Sequence, residues 1–224
     1  MKTIFAHYSI ICILLISCKK SNEMSESRAI DTTQVNSVTN SETKKIIVNS
    51  DDWQEGFGLT HKIDVDSIWY KPVRYYIENK DCDSTAINFY YGKYRPTDEL
   101  KTAKLLALIE TENNELRPFY RWILNKTIQI QDGALGEYTG VPARKYAEKY
   151  PNEFFEYMDI DSTGQKYSLW HNSILYSGFY DLEDSKNSAK IRLSLISKMT
   201  KNCTNCNSEL IKRIDQFALD CFPK

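Results

Sequence analysis

Two carboxylates, Asp132 and Glu137, fall within the stretch Asp132-Gly133-Ala134-Leu135-Gly136-Glu137-Tyr138-Thr139-Gly140, which holds three of the chain's eight glycines. Paired acids can carry out glycosidase-like hydrolysis, one protonating a leaving group while the other activates water or attacks. With Tyr138, and Arg144 a little further on, the same stretch offers a polar surface for a ligand or partner. A plainer reading competes with both. Gly133 would then end one helix and Pro142 would begin the next, leaving a connecting turn.

The cysteines are the second chemical resource. Cys203-Thr204-Asn205-Cys206 has C-x-x-C spacing, but Asn207 stands where haem attachment needs histidine, and the run follows a predicted helix where a thioredoxin-like site would follow a strand. Its expected role is a structural bridge, Cys203 to Cys206. A helix between Cys206 and Cys221 would part them by roughly 20 Å, whereas a disulfide needs Cα atoms within about 7 Å. With Cys12 and Cys18 of the N-terminal segment set aside, the remaining pair is Cys82 with Cys221. Zinc would require two further ligands near the C-x-x-C, so no metal site is expected. The three histidines are His7, His61 and His171. His171 lies on an apolar helical stripe and His61 in a strand-like alternation, both positions of ordinary structural histidines. Nucleophile-elbow, His-Glu-x-x-His, phosphate-loop and dinucleotide signatures do not occur, and no cofactor is expected.

The elements that would carry these residues follow a helical period. Leu100, Ala103, Leu106 and Ala107 form one stripe, with Thr97 or Asp98 as its cap and Leu105, Leu108 and Ile109 widening it into an interior helix. Leu116, Phe119, Tyr120, Ile123, Leu124, Thr127 and Ile128 form the most complete stripe, the expected hub, with Trp122 at its flank. Shorter runs follow at Ala143 to Tyr150 and from Pro151 with Phe154, Tyr157 and Met158. Others span Tyr167 to Phe179, Ser185 to Thr200, and Ser208, as N-cap, to Cys221. Four prolines precede an aromatic by four residues, Pro72/Tyr76, Pro118/Trp122, Pro142/Tyr146 and Pro151/Phe155, which is helix-start chemistry. Residues 66–221 thus read as all-α. The architecture is an irregular helical bundle or a HEAT-like array of helical hairpins, with room for one or two short strands at 46–65.

Composition sets the context. The chain has 224 residues, 42% apolar, with 29 basic against 30 acidic side chains. That balance gives no electrostatic footprint for nucleic acid. At the N-terminus Lys2 precedes an apolar run from Ile4 to Ile16, too short to span a bilayer and ordered as a secretory signal. The run closes on Leu15-Ile16-Ser17-Cys18, which resembles the lipobox of bacterial lipoproteins. Lys19-Lys20-Ser21-Asn22-Glu23 is similar to the start of many Bacteroidota lipoproteins. The resemblance implies cleavage before Cys18, acylation of Cys18, and anchorage in the outer membrane, because an Asp at the second mature position is absent. Residues 1–17 then form the signal peptide and 18–45 the lipidated cysteine with a Ser/Thr/Asn/Lys-rich tether of roughly 25–30 Å reach. Residues 46–224 form a single mainly helical domain.

Two function classes follow. One is a non-catalytic helical binding module tethered to the membrane through its N-terminal lipid, with a protein partner, of the toxin-immunity type for instance, or a wall polymer. The other is an envelope hydrolase using carboxylates such as Asp132 and Glu137. The first needs no missing residues and is the expectation carried forward.

Overall fold

The computed structural model describes residues 67–177 and 187–223. The expected strands at 46–65, His61, the tether and Cys18 lie outside them. Among the described residues the fold is mainly α, with no strand. Its helices are α1 (Val73–Ile77), α2 (Ser84–Tyr90), α3 (Leu100–Ala107), α4 (Arg117–Ile130), α5 (Gly133–Lys149), α6 (Pro151–Asp159), α7 (Gln165–Ser177), α8 (Ser188–Asn202) and α9 (Ser208–Cys221). A 3-10 turn, Leu108–Glu110, extends α3.

Local chemistry explains most of the boundaries. Pro72 stands immediately before α1, Pro118 lies in the first turn of α4, and Pro151 opens α6, where a missing N–H costs nothing. Asp83 caps α2 by accepting from the Thr85 and Ala86 amides. Asn207, one residue ahead of the expected Ser208, caps α9 through the Leu210 amide. Neither Thr97 nor Asp98 caps α3. Glu99 holds that place without a side-chain capping bond, its carboxylate accepting from the Tyr94 hydroxyl at 3.0 Å, while the Thr97 amide is tied to the Thr102 hydroxyl at 3.0 Å. Leu100 and Ala107 are exposed, so α3 buries one face, Thr102, Leu105 and Leu106, and is not an interior helix.

The glycine-rich stretch is the main departure. It is the first turns of α5, which runs unbroken through Pro142. Gly140 shows why the helix carries so many poor helix formers. A Cβ there would lie 2.5 Å from the Ser173 carbonyl oxygen, so its absence lets α5 and α7 pack backbone to backbone. A shared polar cluster sits at the crossing, where the Thr139 hydroxyl lies 2.8 Å from that of Ser173.

Helix α5 packs against α3, α4, α6, α7 and α8, contacts that cross sequence order. A HEAT-like array joins each hairpin only to its neighbours, so the architecture is the irregular bundle. The expected hub, α4, is the most thoroughly buried helix, with only Trp122, Lys126 and Gln129 outside the buried class. Its Phe119 ring stacks on Tyr76 of α1 at 5.6 Å and on Trp122 at 5.9 Å. On the other side Trp170 of α7 donates through Nε1 to Asn125 at 2.9 Å and meets Tyr146, Phe154 and Tyr157.

Candidate functional site

Just before α1 the chain makes a two-residue reversal. The Ile68 amide donates to Lys71 O at 2.8 Å and the Lys71 amide to Ile68 O at 3.1 Å. Between them Trp69 and Tyr70 both have positive φ, 51° and 66°. Positive φ at both central positions marks a type I′ turn, which normally selects Asn-Gly because a Cβ in the left-handed region costs about 1–2 kcal/mol per residue. Here two large aromatics occupy those positions. Tyr76 holds the turn against α1, its buried hydroxyl donating to Ile68 O at 2.7 Å. Burial raises that phenol to about 12.

Beneath the turn lies a polar row inside the core helix: Arg117, Arg121 and Asn125, four residues apart and all buried. Arg117 presents its Nε–Nη2 edge to Glu153, with Nε–Oε2 at 3.0 Å and Nη2–Oε1 at 2.5 Å, and Nη1 donates to Thr111 O. Asn125 receives Trp170. Among the described residues Arg121 meets no such anion. Its guanidinium lies between two rings, Cζ 4.1 Å from the Trp69 centroid and 4.2 Å from that of Tyr157. Nη1 donates to Tyr146 Oη at 2.9 Å, and Tyr146 in turn donates weakly to Glu153 Oε2 at 3.4 Å. Burial pushes the Tyr146 phenol upward, with Arg121 opposing the shift, so it stays neutral. The Nε–Nη2 edge of Arg121 makes no hydrogen bond among the described residues, and Nε is fully buried.

Among the described residues the connected group therefore contains two guanidinium ions and one carboxylate. An arginine 1% exposed carries a desolvation penalty of several kcal/mol. Two cation–π contacts return about 2 kcal/mol or more each when desolvated, which offsets much of that cost without supplying an anion.

Arg121 lines a cavity of about 240 Å³ with Ser67, Trp69, Tyr70, Trp122, Tyr157 and Lys166 among its walls. Tyr70, 87% exposed, and Ile160, 52% exposed, lie at its rim. The Lys166 ammonium lies 4.0 Å from the Tyr157 centroid. Asp161, next to Ile160, is committed elsewhere. Its Oδ1 accepts from the Thr163 amide and hydroxyl and its Oδ2 from the Lys166 amide. Those bonds hold its carboxyl at about 2.

The residues singled out by sequence do not form one site. Asp132 is the exposed N-cap of α5, accepting from the Leu135 amide at 2.9 Å. Glu137 is exposed five residues on, which on a helix turns it about 140° away, so the two carboxylates diverge. Tyr138 donates to Asp98 O at 3.1 Å, fastening α5 to the start of α3. Arg144 lies at the other end of α5, buried with Nε 3.6 Å from Glu148 Oε1. Twelve residues of helix separate it from Asp132 by roughly 18 Å. The half-buried His171 stacks on Tyr167 at 6.4 Å.

Cys203 and Cys206 are bonded, with Cα atoms 5.7 Å apart. Asn152 of α6 grips the turn between them by exchanging hydrogen bonds with the Thr204 backbone, both at 3.1 Å. The expected bridge between Cys82 and Cys221 is absent, and both are free thiols. Cys82 precedes α2, which packs on α4, whereas Cys221 ends α9, which packs on α7 and α8. Burial raises the Cys82 thiol to about 11 and pushes that of Cys221 well above its ordinary range.

Sequence reasoning passed over Trp69, Tyr70 and Arg121. The available signal was the spacing Arg117-x3-Arg121-x3-Asn125, which sets charge inside the most thoroughly buried helix.

No family model, curated protein or solved structure matches this chain.

Proposed function

We propose that this chain is a non-catalytic binding module of a bacterial envelope, anchored by lipid on Cys18, in the outer membrane, and held clear of the surface by its tether. The binding site is the face formed by Trp69, Tyr70 and Arg121. One observation carries this reading: the type I′ turn spends conformational energy to hold two aromatic residues, one exposed and one stacked on a buried arginine. Core packing does not call for an exposed Tyr70 in a left-handed conformation, whereas a rigid aromatic at a pocket rim suits an interface. The divergence of Asp132 and Glu137 favours binding over carboxylate hydrolysis.

The test is site-specific photo-crosslinking in intact cells. A crosslinker replacing Tyr70 should yield a discrete covalent adduct, and one replacing Leu193, exposed on α8, should not. Equal adduct patterns at both positions, or none at position 70, would overturn the assignment of the face.

A further inference from the structure

We infer that the Arg121 cavity is a recognition site for a single carboxylate carried on a small ring-shaped body. The inference rests on the face proposed above and goes further by naming the chemistry it selects.

The protein contains its own demonstration of carboxylate binding. Arg117 and Arg121 are one helical turn apart on α4, both are buried, and both lie against aromatic rings, Arg117 Cζ being 3.9 Å from the Tyr150 centroid. Arg117 offers its Nε–Nη2 edge to Glu153, the side-on bidentate geometry that matches a carboxylate. The same edge of Arg121 meets no acceptor among the described residues, although its aromatic flanks and its Nη1 bond to Tyr146 fix the guanidinium plane. With Nε enclosed and Nη1 committed to Tyr146, Nη2 is the donor of this fixed guanidinium left to meet an anion, so little side-chain entropy is lost on binding.

Charge and size narrow the class. Among the described residues Arg117, Arg121 and Glu153 sum to one positive charge, while Asp161 is occupied by its capping bonds. One carboxylate restores balance around Arg121. A cavity of about 240 Å³ is below the usual range for drug-sized ligands, roughly 300–1,000 Å³. It suits one ring or one residue of a longer molecule. The walls from Trp69, Tyr70, Trp122 and Tyr157 supply apolar faces for the body of that ring, and Ser67 and Lys166 supply polar contacts at its edge. Aromatic acids and acidic sugar residues share this chemistry.

The experiment titrates the intact protein with benzoate and with glucuronate, each paired with its neutral counterpart, benzamide and glucose, by tryptophan fluorescence and thermal shift. At least one acid should bind saturably and about tenfold or more tightly than its neutral partner. Which acid binds tells the aromatic source from the sugar source. Arg121→Met, close in volume and apolar, should abolish that preference while circular dichroism stays native. If this variant does not fold, the acid-against-neutral ratio on the unmodified protein still decides. Equal binding within both pairs, benzoate with benzamide and glucuronate with glucose, would overturn the carboxylate inference and leave the binding face standing. Absence of any saturable response, together with a discrete adduct at position 70, would also overturn it. Absence of both would overturn the face as well.

Discussion

The guanidinium of Arg121 lies 4.1 Å from the ring centroid of Trp69, a residue whose own backbone is held at φ 51°. A strained turn thus closes over a buried cation. Each explains the other in part: the cation draws the indole inward, and the left-handed turn is the backbone geometry that allows Trp69 to reach it while Tyr70 points out.

The close approach of α5 and α7 depends on Gly140. Gly140→Ala forces a methyl to within 2.5 Å of the Ser173 carbonyl, and backbone cannot move aside cheaply. Urea denaturation should show a loss of about 1–3 kcal/mol. A loss below about 0.5 kcal/mol would mean that the two helices are not in backbone contact.

Helix α4 carries the core. Ile123 and Leu124 are 1% and 0% exposed, so truncating either to alanine should destabilise by about 2–5 kcal/mol. The same truncation at the exposed Leu193 should cost little. Chemical denaturation of the three variants checks the ranking, and equal losses would contradict it.

Alkali should unfold the domain through its buried phenols. Burial raises Tyr76, Tyr94 and Tyr120 to about 12, against an ordinary 10.0. A raised folded pKa means that the folded state keeps the proton longer. The contribution of these phenols to stability is therefore constant below about pH 10 and falls as pH rises toward 12, and the Cys82 and Cys221 thiols, raised by burial from an ordinary 9.0, begin the decline from about pH 9. Unfolding free energies measured from pH 8 to 11.5 should be flat and then decline, with tyrosinate absorbance rising as structure is lost. Stability unchanged through pH 11.5 would refute the burial of these groups.

Anchor and core should fail independently. Cys18→Ser should move the protein from the membrane to the soluble fraction without altering its thermal midpoint. Mass spectrometry should find acyl chains on Cys18 of the unmodified protein. An unmodified mature N-terminus at any other residue would contradict the anchor.

The sequence made the helices legible wherever apolar period and start signals agreed. Pro151 with Phe154, Tyr157 and Met158 placed α6, and the stripe through Phe119, Ile123 and Leu124 placed α4. The Ala143 to Tyr150 run placed the second half of α5, whereas its first half was hidden because Gly133, Gly136, Gly140 and Pro142 are all poor helix residues. Burial of its Ala143, Tyr146 and Ala147 face outweighs those local costs. The Cys203–Cys206 bridge was readable because it depends on spacing alone. The Cys82–Cys221 pairing was not, since it required knowing which face of α4 the first helices cover. The candidate site was invisible for a related reason. Trp69 stands at helical spacing from Val73 and Tyr76, and only the reciprocal bonds between Ile68 and Lys71 reveal a turn.

The most direct test of the central claim, that the Trp69-Tyr70 turn is kept strained for binding, is the thermal midpoint of Tyr70→Gly with and without saturating benzoate or glucuronate, whichever acid binds. Glycine relieves about 1–2 kcal/mol of left-handed strain and gives back about 0.5–1 kcal/mol in unfolded-chain entropy. The variant should therefore melt about 1–3 °C above the unmodified protein. It should gain much less from the acid, because a wall of the cavity is gone. A variant that melts lower, or that gains as much from the acid as the unmodified protein does, would contradict the account.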